Sequence, residues 1–372
     1  MTAISRRTML AAACSAAASP WVTPVALASV PGEGRLVVIV LRGAMDGLDA
    51  VRPDFAPGID ALRPPEGGRA PLGDWSLHPE LAPVAPFLSA VHATSTPYRG
   101  GRSHFDGQDL LEAGTVREGT ARGGWLGRLA GAIPGARLET VYAVGAGAPL
   151  IVAGGPPVAV WDPGRDFALP RQTRLLVELV QGTDPLFAAA SRQALDIAAR
   201  AAEGGEGRDG PASAAAFAAA RLREETRVAT FSIGGWDTHA GQRRELRRPM
   251  RALAGALAAL RDGLGPVWDR TAVVALTEFG RTVRMNGSGG TDHGTGGAML
   301  LSGGAVRAGR VWGDWPGLEE AALYERRDLM PTSDVRAHVA ALMRALLPVA
   351  DADLRETVFP GLERIGDAPL TL

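Results

Sequence analysis

Short apolar runs recur along the chain, and longer helical patterns separate them. Polar or turn residues follow each run, at positions 35–41, 88–93, 139–144, 227–233, 271–276 and 298–301. Runs of this length without polar alternation are typical of strands buried on both faces of a parallel sheet. Strands that alternate with helical segments predict an α/β fold with a mostly parallel central sheet flanked by helices.

The segments between these runs carry helix signals or loop signals. Helical patterns cover residues 104–113, 171–225 with a polar break at 203–210, 242–264 and 333–347. Ser103 is placed to cap the first of these helices and Gly114 to end it. Residues 52–80 are rich in proline and glycine and predict a loop or cap, and residues 311–317 predict a loop containing tryptophan.

The composition is typical of a globular protein and argues against nucleic acid or an anionic membrane surface as a partner. The chain has 372 residues, of which 46% are hydrophobic and 21% charged, with a formal net charge of -1. That charge gives no basic field for binding nucleic acid or an anionic membrane surface. There is no lysine, so every basic side chain apart from histidine is arginine, which offers rigid forks for phosphate or sulfate. No run after the N-terminal segment approaches the length of a membrane span.

The N-terminal segment resembles a twin-arginine export signal. Arg6 and Arg7 precede an alanine-rich, weakly apolar run that ends in a small-residue cleavage pattern at residues 26–28. We therefore expect a signal peptide over residues 1–28, a single domain over residues 29–372, and a periplasmic or secreted protein. Lipoprotein processing at Cys14, the single cysteine, is a weaker alternative. The rest of the chain has no cysteine for a disulfide or a thiolate site.

Polar side chains follow several of the predicted strands, where ligands collect in α/β proteins. The residues concerned are Asp46 after the first run, Asp237 and His239 after the run at 227–233, and Glu278, Arg281, Asp292 and His293 after the run at 271–276. Asp237 and His239 are two apart in an extended segment, so their side chains point the same way and can share one ligand. Two alternatives stay open: a plain turn at Asp46, and a surface ion pair between Glu278 and Arg281.

Two roles are consistent with the position of Ser103, a nucleophile and a helix cap. A helix N-terminus carries unpaired N–H groups and a positive dipole end, so a serine there can act as a nucleophile beside an anion. It can equally serve only as the cap. Arg42, Arg102 and Arg281 lie next to these motifs in the sequence and are candidates for holding an anionic substrate.

Five motifs together resemble an exported family known as domain of unknown function 1501 (DUF1501), within the alkaline-phosphatase-like superfamily. They are LRGAMDGL, RSHFDGQD, GGWDTH, TEFGRT and DHGTGGA, and they span nearly all of the expected mature chain. The resemblance implies an alkaline-phosphatase-like fold and a site for one or two divalent ions, most simply zinc or manganese. It assigns Asp46 and Glu278 to one metal, Asp237, His239 and His293 to the other, and Ser103 as the nucleophile.

Two departures from the superfamily pattern bear on activity. Phe279 stands where an imidazole ligand is usual, and Asp237 and His239 are closer in sequence than the usual ligand spacing. The leading hypothesis is a metal-dependent hydrolase of phosphate or sulfate esters. The alternative is a non-catalytic exported protein that keeps the fold and binds a polysaccharide or a protein. A mutase would need a larger inserted domain than the sequence contains.

Overall fold

The computed structural model describes residues 33–117, 122–145, 147–162 and 210–367. The predicted signal segment with Cys14 and the expected start at Ser29 lie outside these residues, as does most of the helical pattern at 171–225.

Twelve strands occur within the described residues. They are β1 (Arg35–Arg42), β2 (Val51–Arg52), β3 (Ala70–Leu72), β4 (Trp75–Leu77), β5 (Leu88–Ser95), β6 (Val141–Val144), β7 (Ala159–Trp161), β8 (Val228–Gly234), β9 (Thr271–Thr277), β10 (Gly297–Ser302), β11 (Val311–Trp312) and β12 (Ser333–Asp334).

Helices connect and flank these strands. They are α1 (Gly47–Ala50), α2 (Ile59–Leu62), α3 (His104–Ala113), α4 (Trp125–Ala132), α5 (Pro211–Leu222), α6 (Gln242–Glu245), α7 (Arg247–Leu264), α8 (Val335–Leu346) and α9 (Asp351–Asp353), with 3-10 turns at Pro79–Phe87, Leu150–Val152, Gly265–Arg270 and Glu320–Ala322 and a π-helical turn at Leu354–Val358. No helix in the described part of the chain is long and apolar enough to cross a membrane.

The main sheet has the strand order β11-β5-β10-β9-β1-β8-β6-β7, and β12 also pairs with β5. Strands β9, β1, β8, β6 and β7 are mutually parallel. Strand β10 is antiparallel to both of its neighbours, β9 and β5. The fold is therefore mixed α/β with a large, mostly parallel sheet, as predicted. Strand β10 reverses because the chain between β9 and β10 is a loop without a crossover helix, which parallel strands require.

The two faces of β1 explain why its sequence is apolar throughout. Val37 and Ile39 pack into a core with helices α5 and α7, whereas Leu36 and Val38 pack into a second core with α4 and α8. Successive side chains of a strand point to opposite faces, so helices on both sides bury every position. The sheet is thus buried on both faces, and its C-terminal edge carries the polar residues.

Several boundaries differ from the sequence-based expectation. The helix expected over 242–264 is divided at Leu246, because Pro249 has no N–H for the carbonyl of Glu245. The helix expected from residue 333 begins at Val335, since the two preceding residues pair with β5 as β12. Part of the expected loop at 311–317 also pairs with β5, as β11. Residues 52–80 contain part of a small antiparallel sheet of order β2-β4-β3.

We expect His92 on β5 to make the stability of the protein depend on pH. Its ring is buried and stacks on Trp75 with 5.0 Å between centroids. Burial lowers the pKa of His92 to about 4. The neutral ring is therefore favoured in the folded state, and its contribution to stability is full above the unfolded pKa of about 6.5 and is lost as the pH falls toward 4. From this group alone we expect a loss of about 2 kcal/mol between pH 7 and pH 5.

Urea unfolding of the native protein and of His92→Gln at those two pH values measures this contribution. The variant should show a correspondingly smaller loss. His78, whose pKa burial also lowers to about 4, contributes equally to both proteins and does not disturb the comparison. Equal losses in the two proteins would contradict the assignment to His92.

Candidate functional site

Four segments meet at the C-terminal edge of the main sheet. His104 begins α3, Asp237 and His239 follow β8, Glu278 follows β9, and His293 lies in the loop before β10. Parallel strands place their C-terminal ends at one edge, so residues far apart in sequence converge there. The ring of His104 is 4.2 Å from that of His293, which in turn is 4.7 Å from that of His239, measured between centroids.

Each of the three histidines uses its Nδ1 atom to hold the ring in place. His104 Nδ1 is 2.8 Å from Glu278 Oε1, His239 Nδ1 is 3.2 Å from Asp292 Oδ1, and His293 Nδ1 is 2.6 Å from the carbonyl oxygen of Arg102. Carbonyl and carboxylate oxygens only accept hydrogen bonds, so each Nδ1 donates. In the neutral imidazole, each Nε2 atom is then left with a free lone pair.

The three Nε2 atoms converge on the carboxylate of Asp237. Those of His239 and His293 lie 3.0 and 3.2 Å from Asp237 Oδ1, and that of His104 lies 3.3 Å from Oδ2. His239 Nε2 and His293 Nε2 are only 2.9 Å apart. Two nitrogen lone pairs at that distance repel each other unless a proton or a metal cation lies between them. His104 Nε2 is buried and makes no hydrogen bond within the described residues.

Three of these residues, His104, Asp237 and His293, form a group whose spacing suits a divalent cation, and His239 Nε2 lies beside it. Candidate ligand atoms of His104, Asp237 and His293 all lie within 4.8 Å of one another. Metal-binding histidines generally donate their other ring N–H to a carboxylate or a backbone carbonyl, as all three do here. Imidazole nitrogen with carboxylate oxygen suits zinc and other transition metals. The side chains of Asp237 and His239 are 44% and 45% exposed, so the centre is open to solvent on one side.

Arg281 keeps Asp237 ionised and fixed. Its buried guanidinium donates to Asp237 Oδ1 at 2.6 Å and to the backbone carbonyls of residues 43, 44, 236 and 291. Burial opposes ionisation of Asp237, but the hydrogen bond and the charge of Arg281 outweigh it and lower the pKa of Asp237 to about 2. Asp237 is thus an anion at every physiological pH.

Glu278 holds His104 from the buried side. Its Oε1 atom accepts hydrogen bonds from His104, from Gly43 N at 2.9 Å and from Gln108 Nε2 at 3.0 Å. Burial raises the pKa of Glu278, but the hydrogen bonds from His104 and Gln108 bring it below its ordinary value. The same bond to Glu278 raises the pKa of His104. For His293, burial is the largest effect and lowers the pKa.

Phe279 forms an apolar wall behind the histidines. Its ring lies 5.2 Å from the ring of His104 and 5.1 Å from that of His293, between centroids. Gly107 on α3 faces it closely, since a Cβ atom there would lie 2.9 Å from the Phe279 ring. Phe279 is the departure from the superfamily pattern noted in the sequence, and His104 brings an imidazole to the cluster from another element.

The structure brings together five of the residues predicted from the sequence, namely Asp237, His239, Glu278, Arg281 and His293. Glu278 and Arg281 are both buried, so their roles are not those of a surface ion pair. Sequence reasoning missed His104, Gln108 and Asn286 and left Asp292 without a role. The signal for the first two was a histidine and a glutamine four residues apart on one helix face, directly after Ser103.

Asp46 lies apart from the histidine cluster. Its buried carboxylate accepts hydrogen bonds from Leu48 N, Asp49 N, Gln242 and Thr291, and forms an ion pair with Arg63 at 2.9 Å. Within the described residues, it shares none of these partners with Glu278.

The side chains of the other predicted residues form hydrogen bonds and ion pairs with groups outside the histidine cluster. Ser103 Oγ accepts the N–H of Asp106 at 3.5 Å as the cap of α3. The guanidinium of Arg102 binds Glu325 and Asp328, and only its carbonyl reaches His293. Arg42 binds Gln108 at 2.9 Å and therefore acts on Glu278 indirectly.

Fold and site together describe a mixed α/β protein with a histidine and carboxylate centre at the C-terminal edge of a mostly parallel sheet. Residues 171–352 match the model of a family described as "Protein of unknown function (DUF1501)". The match supports the family resemblance drawn from the motifs, and it includes Asp237, His239, Glu278 and His293 but not His104. No curated protein matches the chain.

Proposed function

We propose that the protein is a metal-dependent hydrolase of phosphate or sulfate esters, in which His104, His239, His293 and Asp237 hold one divalent cation, most simply zinc or manganese. The observation that carries the proposal is the orientation of the histidines. All three Nδ1 atoms are engaged by acceptors, and all three Nε2 atoms point to one carboxylate.

This proposal differs from the two-metal arrangement that the family resemblance implies. Glu278 and Asp292 orient histidines, and Asp46 belongs to a separate buried ion pair. Partners that orient metal-binding histidines matter nearly as much as the ligands themselves, so Glu278 stays a functional residue. The alkaline-phosphatase-like fold, export by the twin-arginine pathway and a periplasmic or secreted location remain part of the proposal.

The side chains supply what ester hydrolysis needs around the cation. A bound cation would polarise the ester oxygen or lower the pKa of a water molecule. Asp237 stays negatively charged because Arg281 binds it, and Glu278 keeps the His104 proton on Nδ1. The first turn of α3 has free N–H groups that favour an anion, and Ser103, next to His104, is the candidate nucleophile. Phe279 stacks its apolar ring on His104 at the rear of the centre.

One observation favours the second candidate, a non-catalytic metal-binding protein. The three arginines that would hold an anionic substrate are already engaged: Arg42 with Glu112, Arg102 with Glu325 and Asp328, and Arg281 with Asp237. An anion at the centre would then depend on the cation and on the N–H groups of α3. A protein that only binds metal has no need of a free guanidinium.

Metal analysis combined with activity assays separates the two candidates. We expect the purified mature protein to bind one equivalent of zinc or manganese and to cleave an aryl phosphate, a phosphodiester or an aryl sulfate. Ser103→Ala should keep the metal and lose the activity. Stoichiometric metal without hydrolysis of any of these esters would favour the binding protein, and absence of metal binding would refute both candidates.

A further inference from the structure

A cavity lies beside the segment that follows β1, and the function proposed above does not use it. Its volume is about 500 Å³. The lining includes Asp49 and comes from three parts of the chain, within positions 49–78, 243–246 and 285–289. Cavities of several hundred Å³ are typical of small-molecule sites. The sequence motif around Asp46 and Asp49 therefore borders a pocket.

Four arginines line this cavity, and they differ in whether they form ion pairs. Arg52 forms ion pairs with Asp54 and Asp60, and Arg63 with Asp46. Arg69 donates only to neutral acceptors, which are Ser76 Oγ at 2.8 Å, the carbonyl of Ser76 and the carbonyl of Asp49. Arg243 likewise donates to the carbonyls of residues 64 and 65. Within the described residues, neither Arg69 nor Arg243 has an ion pair.

The two acidic residues in the lining do not balance these charges. Glu66 forms an ion pair with Arg247 and lies 3.6 Å from His78 Nε2. Asp49 accepts a hydrogen bond from Gln242, and its nearest cation is Arg63 at 3.7 Å. Burial and the neighbouring charge of Asp46 raise the pKa of Asp49, which favours its neutral form. Within the described part of the chain, neither carboxylate forms an ion pair with Arg69 or Arg243.

Arg69 is partly buried whereas Arg243 is exposed, so only Arg69 carries an unfavourable desolvation cost for lacking an ion pair. Burial lowers the pKa of Arg69 to about 10, which reflects this cost. An anion in the cavity would offset it. Guanidinium groups bind phosphate and sulfate through paired, charge-assisted hydrogen bonds.

We propose that this cavity binds a compact oxyanion, a phosphate or sulfate group, through Arg69 and Arg243. The site does not depend on the metal centre, although the two are neighbours. Asn286 lines the cavity and also donates to Asp292 Oδ1 at 3.1 Å and to the carbonyl of His239 at 2.9 Å. The ligand is either a free inorganic anion or a small molecule that carries such a group.

Calorimetric titration of the metal-free mature protein, in the presence of a chelator, tests the site. Inorganic phosphate, inorganic sulfate and a monosaccharide phosphate are the three probes. We expect at least one probe to bind, and Arg69→Gln and Arg243→Gln each to weaken that binding at least tenfold. Tighter binding of the sugar phosphate identifies the oxyanion as part of a larger ligand, and equal binding identifies a free anion; both support the site.

Two further variants make the result specific. Arg307→Gln replaces an exposed arginine outside the cavity lining and should bind the probes as the native protein does. His293→Ala should also keep binding, because it removes a residue of the metal centre only. Circular dichroism verifies that each variant is folded, and Arg243, which is exposed, can be replaced with little structural cost.

The proposal is overturned if no probe binds the native protein, if Arg243→Gln binds as tightly as the native protein, or if His293→Ala abolishes binding. The last result would place the anion at the histidine centre. None of these results concerns metal binding or hydrolysis, so this site and the proposed function fail or succeed separately.

Discussion

Replacement of His104 by alanine is expected to weaken the binding of a divalent cation by about 100-fold or more while the protein remains folded. His104 Nε2 is one of three ring nitrogens directed at Asp237, and its loss leaves two. Substitution of residues that merely orient a ligand typically costs about 10- to 100-fold in metal affinity, so loss of a direct ligand should reach at least the upper value. The side chain is 23% exposed, which limits the structural cost.

Competition with a chromogenic chelator gives the zinc affinity, and the absorption spectrum of the cobalt-substituted protein reports the ligand set. Glu278→Gln should lower the affinity by about 10- to 100-fold, because glutamine keeps the shape but no longer provides the charged acceptor for His104 Nδ1. His338→Gln is the matched control, since His338 lies on α8, away from the cluster. Native affinity in His104→Ala would show that His104 is not a ligand and would favour the arrangement implied by the family resemblance.

Replacement of Arg63 by methionine is expected to lower the free energy of unfolding by about 3–5 kcal/mol. Arg63 and Asp46 are both 1% exposed and form an ion pair at 2.9 Å. Arg63 also donates to the carbonyls of Thr282 and Val283 at 2.6 and 2.9 Å. The variant would bury an unpaired carboxylate and remove the donors from two carbonyls. The pKa of Asp46 is now lowered, chiefly by Arg63 and Gln242 acting against burial, and it should rise in the variant.

Denaturant unfolding at neutral pH measures this loss of stability. Two further variants show whether the loss comes from the unpaired buried carboxylate. Arg52→Met breaks ion pairs whose carboxylates, Asp54 and Asp60, are exposed, so it should cost less. The double variant Asp46→Asn with Arg63→Met should recover part of the loss, because no charge is then left unpaired. If Asp46→Asn alone reduced the metal content, Asp46 would be a metal ligand after all, and the structural role given to it here would be wrong.

Much of the fold follows from the sequence because burial on both faces leaves a strong local signal. The six apolar runs all became strands, and the ends of α3 match the expected cap at Ser103 and stop at Gly114. The hydrophobic pattern did not predict the short strands. Strands β11 and β12 are two residues long and exist because β5 offers an edge to pair with, which is information from distant parts of the chain.

For the site, the sequence supplied the residue types at the strand ends but not their partners. The carboxylates Asp46 and Glu278 both follow apolar strands and look equivalent in sequence. Tertiary structure gives one of them Arg63 and the other His104. Asp46 and Arg63 are 17 residues apart in the sequence, and Glu278 and His104 are 174 residues apart. No local sequence pattern predicts pairs at such separations.

The sequence by itself determined the fold class, the sheet edge where polar residues gather and the helix that carries Ser103. These depend on hydrophobic periodicity and capping, which act over a few residues. Only the tertiary structure decided that His104 lies beside His239 and His293. It also decided that the Arg281 guanidinium binds Asp237 and is therefore not available to a ligand. The reason is physical: the direction of a side chain's lone pair or N–H group depends on which acceptor the fold places beside it.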